Sequence, residues 1–182
     1  NQFSEVKSVE LSGQVKIVRT RKKEFQARTV VLAAGAYPRK TGVEGEDRFA
    51  GRGVAYCAAC DGMFYKDKTV AVYGGGNSAV EDALLLSRIC KKVYLIHRRD
   101  TLRATKVYQD ALFGSSVELV WNSRVTAFLG DKHLSGVEID DTKTGEKREL
   151  SLDGIFVSIG RIPDTGLFEG QVDMDETGYL IA

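Results

Sequence analysis

A chain of 182 residues, 43% hydrophobic and 28% charged, is long enough for one domain or a domain and part of another, with a core that stands without staples. A formal net charge of +1 argues against broad electrostatic binding to nucleic acid or an anionic membrane, and no apolar run approaches the roughly 18 residues of a membrane span. Three cysteines, two of them in one Cys-x-x-Cys, are too few and too close for a secreted disulfide scaffold, which points to a cytoplasmic protein.

The opening N-Q-F-S-E-V-K-S has no initiator methionine and no signal pattern, and reads as part of a longer protein. Residues 6–11 and 14–20 alternate apolar and polar side chains around Ser12-Gly13, which predicts a short antiparallel hairpin. A-R-T-V-V-L-A-A at 27–34 reads as a buried strand that ends at Gly35, ahead of Pro38. Residues 40–53 are rich in glycine and charge without a sustained period, and read as a linker to the cysteine motif C-A-A-C-D-G at 57–62.

Beyond the cysteines the pattern changes to strand, helix, strand at 69–73, 77–89 and 93–97, with a helix face of Val80, Ala83, Leu84 and Ser87. That is a right-handed parallel βαβ unit. A weaker helix at 105–112 and a strand at 117–121 follow. Residues 125–129, 134–139 and 147–152 alternate and are joined by turn-like Gly130-Asp131 and Thr144-Gly145, which predicts an antiparallel three-stranded meander. A last apolar strand at 154–159 ends at Gly160. The expected class is α/β.

The first βα turn reads Gly74-x-Gly76-x-x-Ala79, the spacing of a dinucleotide fingerprint between a strand and a helix. Gly74 permits the tight turn, Gly76 lets the backbone approach a pyrophosphate, and small Ala79 lets helix and strand pack closely. With Gly75 between them, the N–H groups around Asn77 and Ser78 would then hold the phosphates with the help of the helix dipole. An NAD site places an acidic residue at the end of the second strand; here that position reads His97-Arg98-Arg99-Asp100, with Arg103 one turn later. Guanidinium groups grip a 2′-phosphate bidentately, so the expected cofactor is NADPH, with His97 packing near the adenine edge.

Three readings compete for Cys57 and Cys60. A structural zinc site wants two more ligands at matching spacing, and only Cys90, His97 and His133 remain. An inert buried pair is the second. Redox cycling is preferred, because it alone gives a reason for two thiols next to a hydride-donor site, with Asp61 as the candidate acid for a thiolate leaving group or simply a turn residue before Gly62. Met63, Phe64 and Tyr65 form an apolar docking lip or plain core.

G-R-G-V-A-Y-C-A-A-C-D-G, V-Y-G-G-G-N-S-A-V-E-D-A, L-I-H-R-R-D and V-S-I-G-R-I-P-D-T resemble, in order and spacing, the low-molecular-weight thioredoxin reductases of the pyridine nucleotide-disulfide oxidoreductase family. The resemblance implies a homodimeric flavoprotein that passes electrons from NADPH through FAD to a Cys57–Cys60 disulfide and on to thioredoxin or a thioredoxin-like protein. Cys57 would be the interchange thiol, Cys60 would face the flavin, Asp61 would be the acid, and Ile159 and Gly160 would join the cofactor site. It implies a Rossmann-like NADPH-binding domain at 41–161, combining the parallel βαβ sheet and the meander. A β-rich remnant of the FAD-binding domain would occupy 1–40, and 162–182 would return toward it. The family's N-terminal FAD fingerprint and its closing Gly-Asp segment do not occur in this sequence, so the FAD site is incomplete in this chain. Gly35 and Gly160 would sit where two strands cross between the domains. The alternatives are a related flavoprotein disulfide reductase serving a peroxidase, and an NADPH-binding module inactive without its FAD domain.

Overall fold

A computed structural model describes residues 4–181. The chain forms two compact units, one from the described residues up to Tyr37 together with those from Arg161 onward, the other Pro38–Gly160.

In the first unit β1 (Val6–Glu10), β2 (Lys16–Thr20) and β3 (Glu24–Ala27) make an antiparallel sheet in the order β1-β2-β3. The hairpin expected around Ser12-Gly13 is present, and a third strand extends it. Arg19 on the central strand bridges Glu10 and Glu24 on its two neighbours, one opposite charge on each side. The buried strand expected at 27–34 does not form. β3 stops at Ala27, residues 29–34 have no ladder partner, and Val31 is 90% exposed. The sequence has strand-forming side chains there, but among the described residues of this unit no layer covers them. Next comes β4 (Ala36–Pro38).

The second unit begins with a segment expected to be a linker, yet it contains a single helical turn, α1 (Glu46–Phe49), with Phe49 1% exposed. Gly45 caps it at φ +90°, where a side chain would also press on Phe128. β5 (Val54–Ala55) leads to α2 (Ala58–Asp61) and a 3₁₀ turn, Gly62–Tyr65. Then follow β6 (Thr69–Gly74), α3 (Asn77–Leu86), β7 (Lys92–Ile96), α4 (Lys106–Phe113) and β8 (Glu118–Val120). The meander is β9 (Ser123–Gly130), β10 (Leu134–Asp141) and β11 (Lys147–Ser151), and β12 (Gly154–Ser158) closes the unit.

Five strands build one parallel sheet in the order β5-β12-β6-β7-β8. Its centre is covered on both faces, which explains why β6, β7 and β12 are continuous apolar runs. Alternation along β6 sends Val70 and Val72 toward Val80, Ala83, Leu86 and Leu112 of α3 and α4. The residue between them, Ala71, joins Val125, Phe128, Val137 and Ile139 of the meander on the other face. Each fully buried Val or Ile in these layers contributes roughly 1.5–3 kcal/mol relative to exposure. This sandwich holds the carboxyl ends of β6, β7 and β12 in fixed register. Returning to the first unit, β13 (Arg161–Pro163) pairs with β4, and Tyr37 donates its hydroxyl hydrogen to Asp164 at 2.7 Å.

Candidate functional site

The turn between β6 and α3 is built by what its glycines must accommodate. A Cβ on Gly74 would lie 2.2 Å from the Ser158 carbonyl oxygen and 2.7 Å from the Ala79 Cβ, so β6, β12 and α3 close together only around a bare α-carbon. A Cβ on Gly75 would lie 2.2 Å from the His97 ring. Gly76 is different, because nothing stands within 4 Å of its Cβ position. It is the N-cap of the ten-residue α3 and has no side-chain cap, so the N–H groups that start the helix are left for another acceptor. Open space, a bare N-cap and free donors together form a cradle that fits a dinucleotide pyrophosphate.

The rest of the turn is braced from the loop between β7 and α4. The Gly75 carbonyl accepts from Arg103 N at 2.8 Å and from Ala104 N at 3.2 Å, and Asn77 Oδ1 accepts from Thr105 N at 2.8 Å. The Asn77 side chain is therefore engaged with the start of α4, and only its backbone N–H faces the role expected of it. His97 is 7% exposed, its Nε2 donates to the Thr101 carbonyl at 3.0 Å, and Trp121 meets the ring edge-on. Burial pushes its pKa below the usual imidazole value, so the ring is a neutral prop beneath Gly75.

Arg98, Arg99 and Arg103 are all exposed, and none pairs with a carboxylate among the described residues. Asp100, the one acid in the run, is taken by Lys143 at 2.8 Å, which holds its carboxyl below the usual range. Thr142 Oγ1 donates to the Arg98 carbonyl and Asn122 N to the Arg99 carbonyl, so meander loops fix the backbone beneath two free guanidiniums. This arrangement suits a phosphomonoester at the adenosine end of a bound dinucleotide.

At the carboxyl end of β5, the edge strand of the same sheet, Cys57 and Cys60 form a disulfide, with Cα atoms 5.3 Å apart. Cys57 is extended and caps α2, its Sγ accepting from Cys60 N at 3.1 Å; it is half-buried while Cys60 is exposed. A groove of about 380 Å³ runs beside Cys57, lined among others by Ala50, Tyr56, Asp61, Phe64 and Tyr65. Met63 and Phe64 are 66% and 74% exposed, so they form a lip at the disulfide and are not core, whereas half-buried Tyr65 packs edge-on against Phe156. Ile159 is half-buried and Gly160 exposed at φ +112°, both just past the end of β12.

Sequence reasoning passed over two carboxyls here. Glu46 is 2% exposed and accepts from the Tyr56 hydroxyl at 2.9 Å. Asp82, half-buried on α3, has its pKa raised by burial, an effect that the neighbouring Ser158 hydroxyl opposes. An acid at the fifth or sixth helical position after a glycine turn, on the side of Val80 and Ala83, was the available signal for Asp82.

The sequence model of the pyridine nucleotide-disulphide oxidoreductases matches residues 2–182. The chain belongs to this family. Curated relatives include a thioredoxin reductase of Streptomyces clavuligerus, 45% identical over 97% of this chain and 55% of its own length. Another is that of Mycolicibacterium smegmatis, 42% identical over 98% of this chain and 58% of its own. Among solved structures the thioredoxin reductase of Lactococcus lactis superposes with a TM-score of 0.90 at 36% identity, covering 98% of this chain and 60% of that one. The chain thus spans well under two thirds of these family members. The described residues of the first unit offer no helix opened by a glycine turn, so they do not by themselves fit FAD.

Proposed function

We propose that the whole protein is an NADPH-dependent flavoprotein disulfide reductase acting on thioredoxin or a thioredoxin-like protein. In this reading FAD is held largely by parts of the relatives' length that this chain does not span, and the protein is a cytoplasmic homodimer. Pro38–Gly160 would be its NADPH-binding domain, and the chain alone would be inactive. The observation that carries the reading is the joint presence, on one parallel sheet, of an open Gly76 cradle with free arginines and a half-exposed Cys57–Cys60 disulfide.

NADPH, when bound, supplies a hydride, and the residues of this chain bind and orient it. Gly74, Gly75, Gly76, Asn77, Ser78 and Ala79 form the pyrophosphate turn, His97 props it, and Arg98, Arg99 and Arg103 hold the 2′-phosphate. Ile159 and Gly160, past β12, border the nicotinamide half. Once two electrons and two protons have reduced the cysteine pair, the Cys57 thiolate attacks a sulfur of the substrate disulfide. A mixed disulfide forms, and Asp61 protonates the departing thiolate. Cys60 then attacks Cys57 and releases the second substrate thiol, restoring the original disulfide. Met63 and Phe64 give the incoming protein an apolar seat beside the groove.

Thioredoxin turnover by the full-length protein, followed through NADPH oxidation, tests this. Cys57→Ser and Cys60→Ser should each abolish turnover, and Cys60→Ser should accumulate a covalent complex with thioredoxin through Cys57. Turnover that survives either substitution refutes the dithiol route. Wild-type protein that reduces a peroxidase partner but no thioredoxin would select the peroxidase-linked alternative.

A further inference from the structure

We propose that Glu46, acting through the Tyr56 hydroxyl, is a positioning residue for Cys57 that keeps this cysteine in place when the disulfide is open. The inference rests on the redox reading of the cysteine pair.

Glu46 is a buried carboxylate on a single helical turn, and its two oxygens take four hydrogen bonds. Thr41 N at 3.1 Å, Thr41 Oγ1 at 2.7 Å and Gly42 N at 3.0 Å come from the same loop. The fourth, Tyr56 OH at 2.9 Å, comes from ten residues on, immediately before Cys57. No cation touches the carboxylate among the described residues, since neighbouring Lys40 is paired with Asp47. A buried charge is tolerated only if hydrogen bonds satisfy it, so these donors are required and their positions are fixed. Phe49 and the contact of Gly45 with Phe128 lock the turn itself into the core.

In the oxidised protein the Cys57 side chain has two ties, the covalent bond to Cys60 and the hydrogen bond from Cys60 N to its Sγ, while its carbonyl accepts from Asp61 N at 3.0 Å. Reduction removes the first. The second is the one that stabilises a Cys57 thiolate, and it persists only while Cys57 stays extended as the cap of α2. Past β5, whose Val54 and Ala55 pair with β12, Tyr56 is then the side chain that anchors the residue entering Cys57. Its hydroxyl stays protonated, because burial and the bond to Glu46 both raise its pKa, so the anchor persists throughout the neutral range. The other charged groups nearby, Asp47, Lys40 and Asp61, are untouched by a substitution at Tyr56.

The test is Tyr56→Phe in the full-length protein, equilibrated in dithiothreitol buffers, trapped with iodoacetamide and read by peptide mass. Loss of thiolate stabilisation should shift the equilibrium toward the Cys57–Cys60 disulfide by about threefold or more, and should move the pH midpoint of Cys57 alkylation upward. Cys90, half-buried against the helix layer, serves as the internal control and should alkylate at its wild-type rate. Glu46→Gln, which cannot accept all four donors, should shift the equilibrium in the same direction; if it does not fold, Tyr56→Phe decides alone. Unchanged Cys57 behaviour in Tyr56→Phe overturns the proposal. So does a parallel change at Cys90, which would indicate general loosening. A wild-type pair that does not cycle with dithiothreitol would instead sink the redox reading itself.

Discussion

Three glycines in a row have three different jobs, and substitution separates them. Alanine at Gly74 must displace the Ser158 backbone, so Gly74→Ala should destabilise the fold by about 1–3 kcal/mol in denaturant unfolding. Gly76→Ala meets nothing in the protein and should cost about 1 kcal/mol or less, as an alanine N-cap does, while abolishing dinucleotide binding. Equal stability losses at the two positions would contradict the cradle. Arg98→Ala and Arg99→Ala should each weaken NADPH by about tenfold, the worth of a charged hydrogen bond, and leave NADH affinity unchanged in a fluorescence titration.

His97 adds a pH dependence. Its folded pKa lies below the unfolded value of about 6.5, so the unfolded chain takes up the proton first. The stability this provides is complete above about pH 6.5 and is lost as pH falls from there toward the folded value. Urea midpoints should drop on acidification through this window, and less so in His97→Gln. An identical drop in both proteins would place the effect elsewhere.

At the scale of elements, periodicity located β6, α3, β7, α4 and the meander, because each has an apolar face that the layers of the second unit bury. It placed one face slightly wrong. Leu84 and Ser87 were expected inside with Val80 and Ala83, but Leu86 is the side chain fully buried and Leu84 is half-buried, since α3 contacts β6 and β12 along Ala79, Val80, Ala83 and Leu86. Leu86→Ala should therefore cost about 2–5 kcal/mol and Leu84→Ala clearly less. The reverse order would favour the face read from the sequence. α1 was illegible because a four-residue turn has no period; what fixes it is the Glu46 network and Phe49, neither of which repeats along the chain. Residues 29–34 misled for the opposite reason, since strand propensity is visible in a sequence and the presence of a covering layer is not.

At the scale of the molecule, the cysteine pair and the glycine turn were legible as motifs, because both chemistries demand fixed spacing. What spacing does not reveal is that Asp100 is neutralised by Lys143 from a distant loop, leaving the arginines without a carboxylate partner among the described residues, or that Asn77 is engaged with α4. Those partners are separated by dozens of residues and are brought together only by the parallel sheet. Likewise, the apolar lip of Met63 and Phe64 becomes distinguishable from core only once exposure is known. In the proposed function, Pro38–Gly160 combines an NADPH site with the disulfide that receives its electrons. The most direct measurement is thiol trapping of Cys57 and Cys60 in the full-length protein, anaerobically, with NADPH, with NADH and with neither, read by peptide mass. Two newly alkylated cysteines are expected with NADPH, few with NADH at the same concentration, and none without nucleotide. A Cys57–Cys60 disulfide that remains closed in excess NADPH would contradict it.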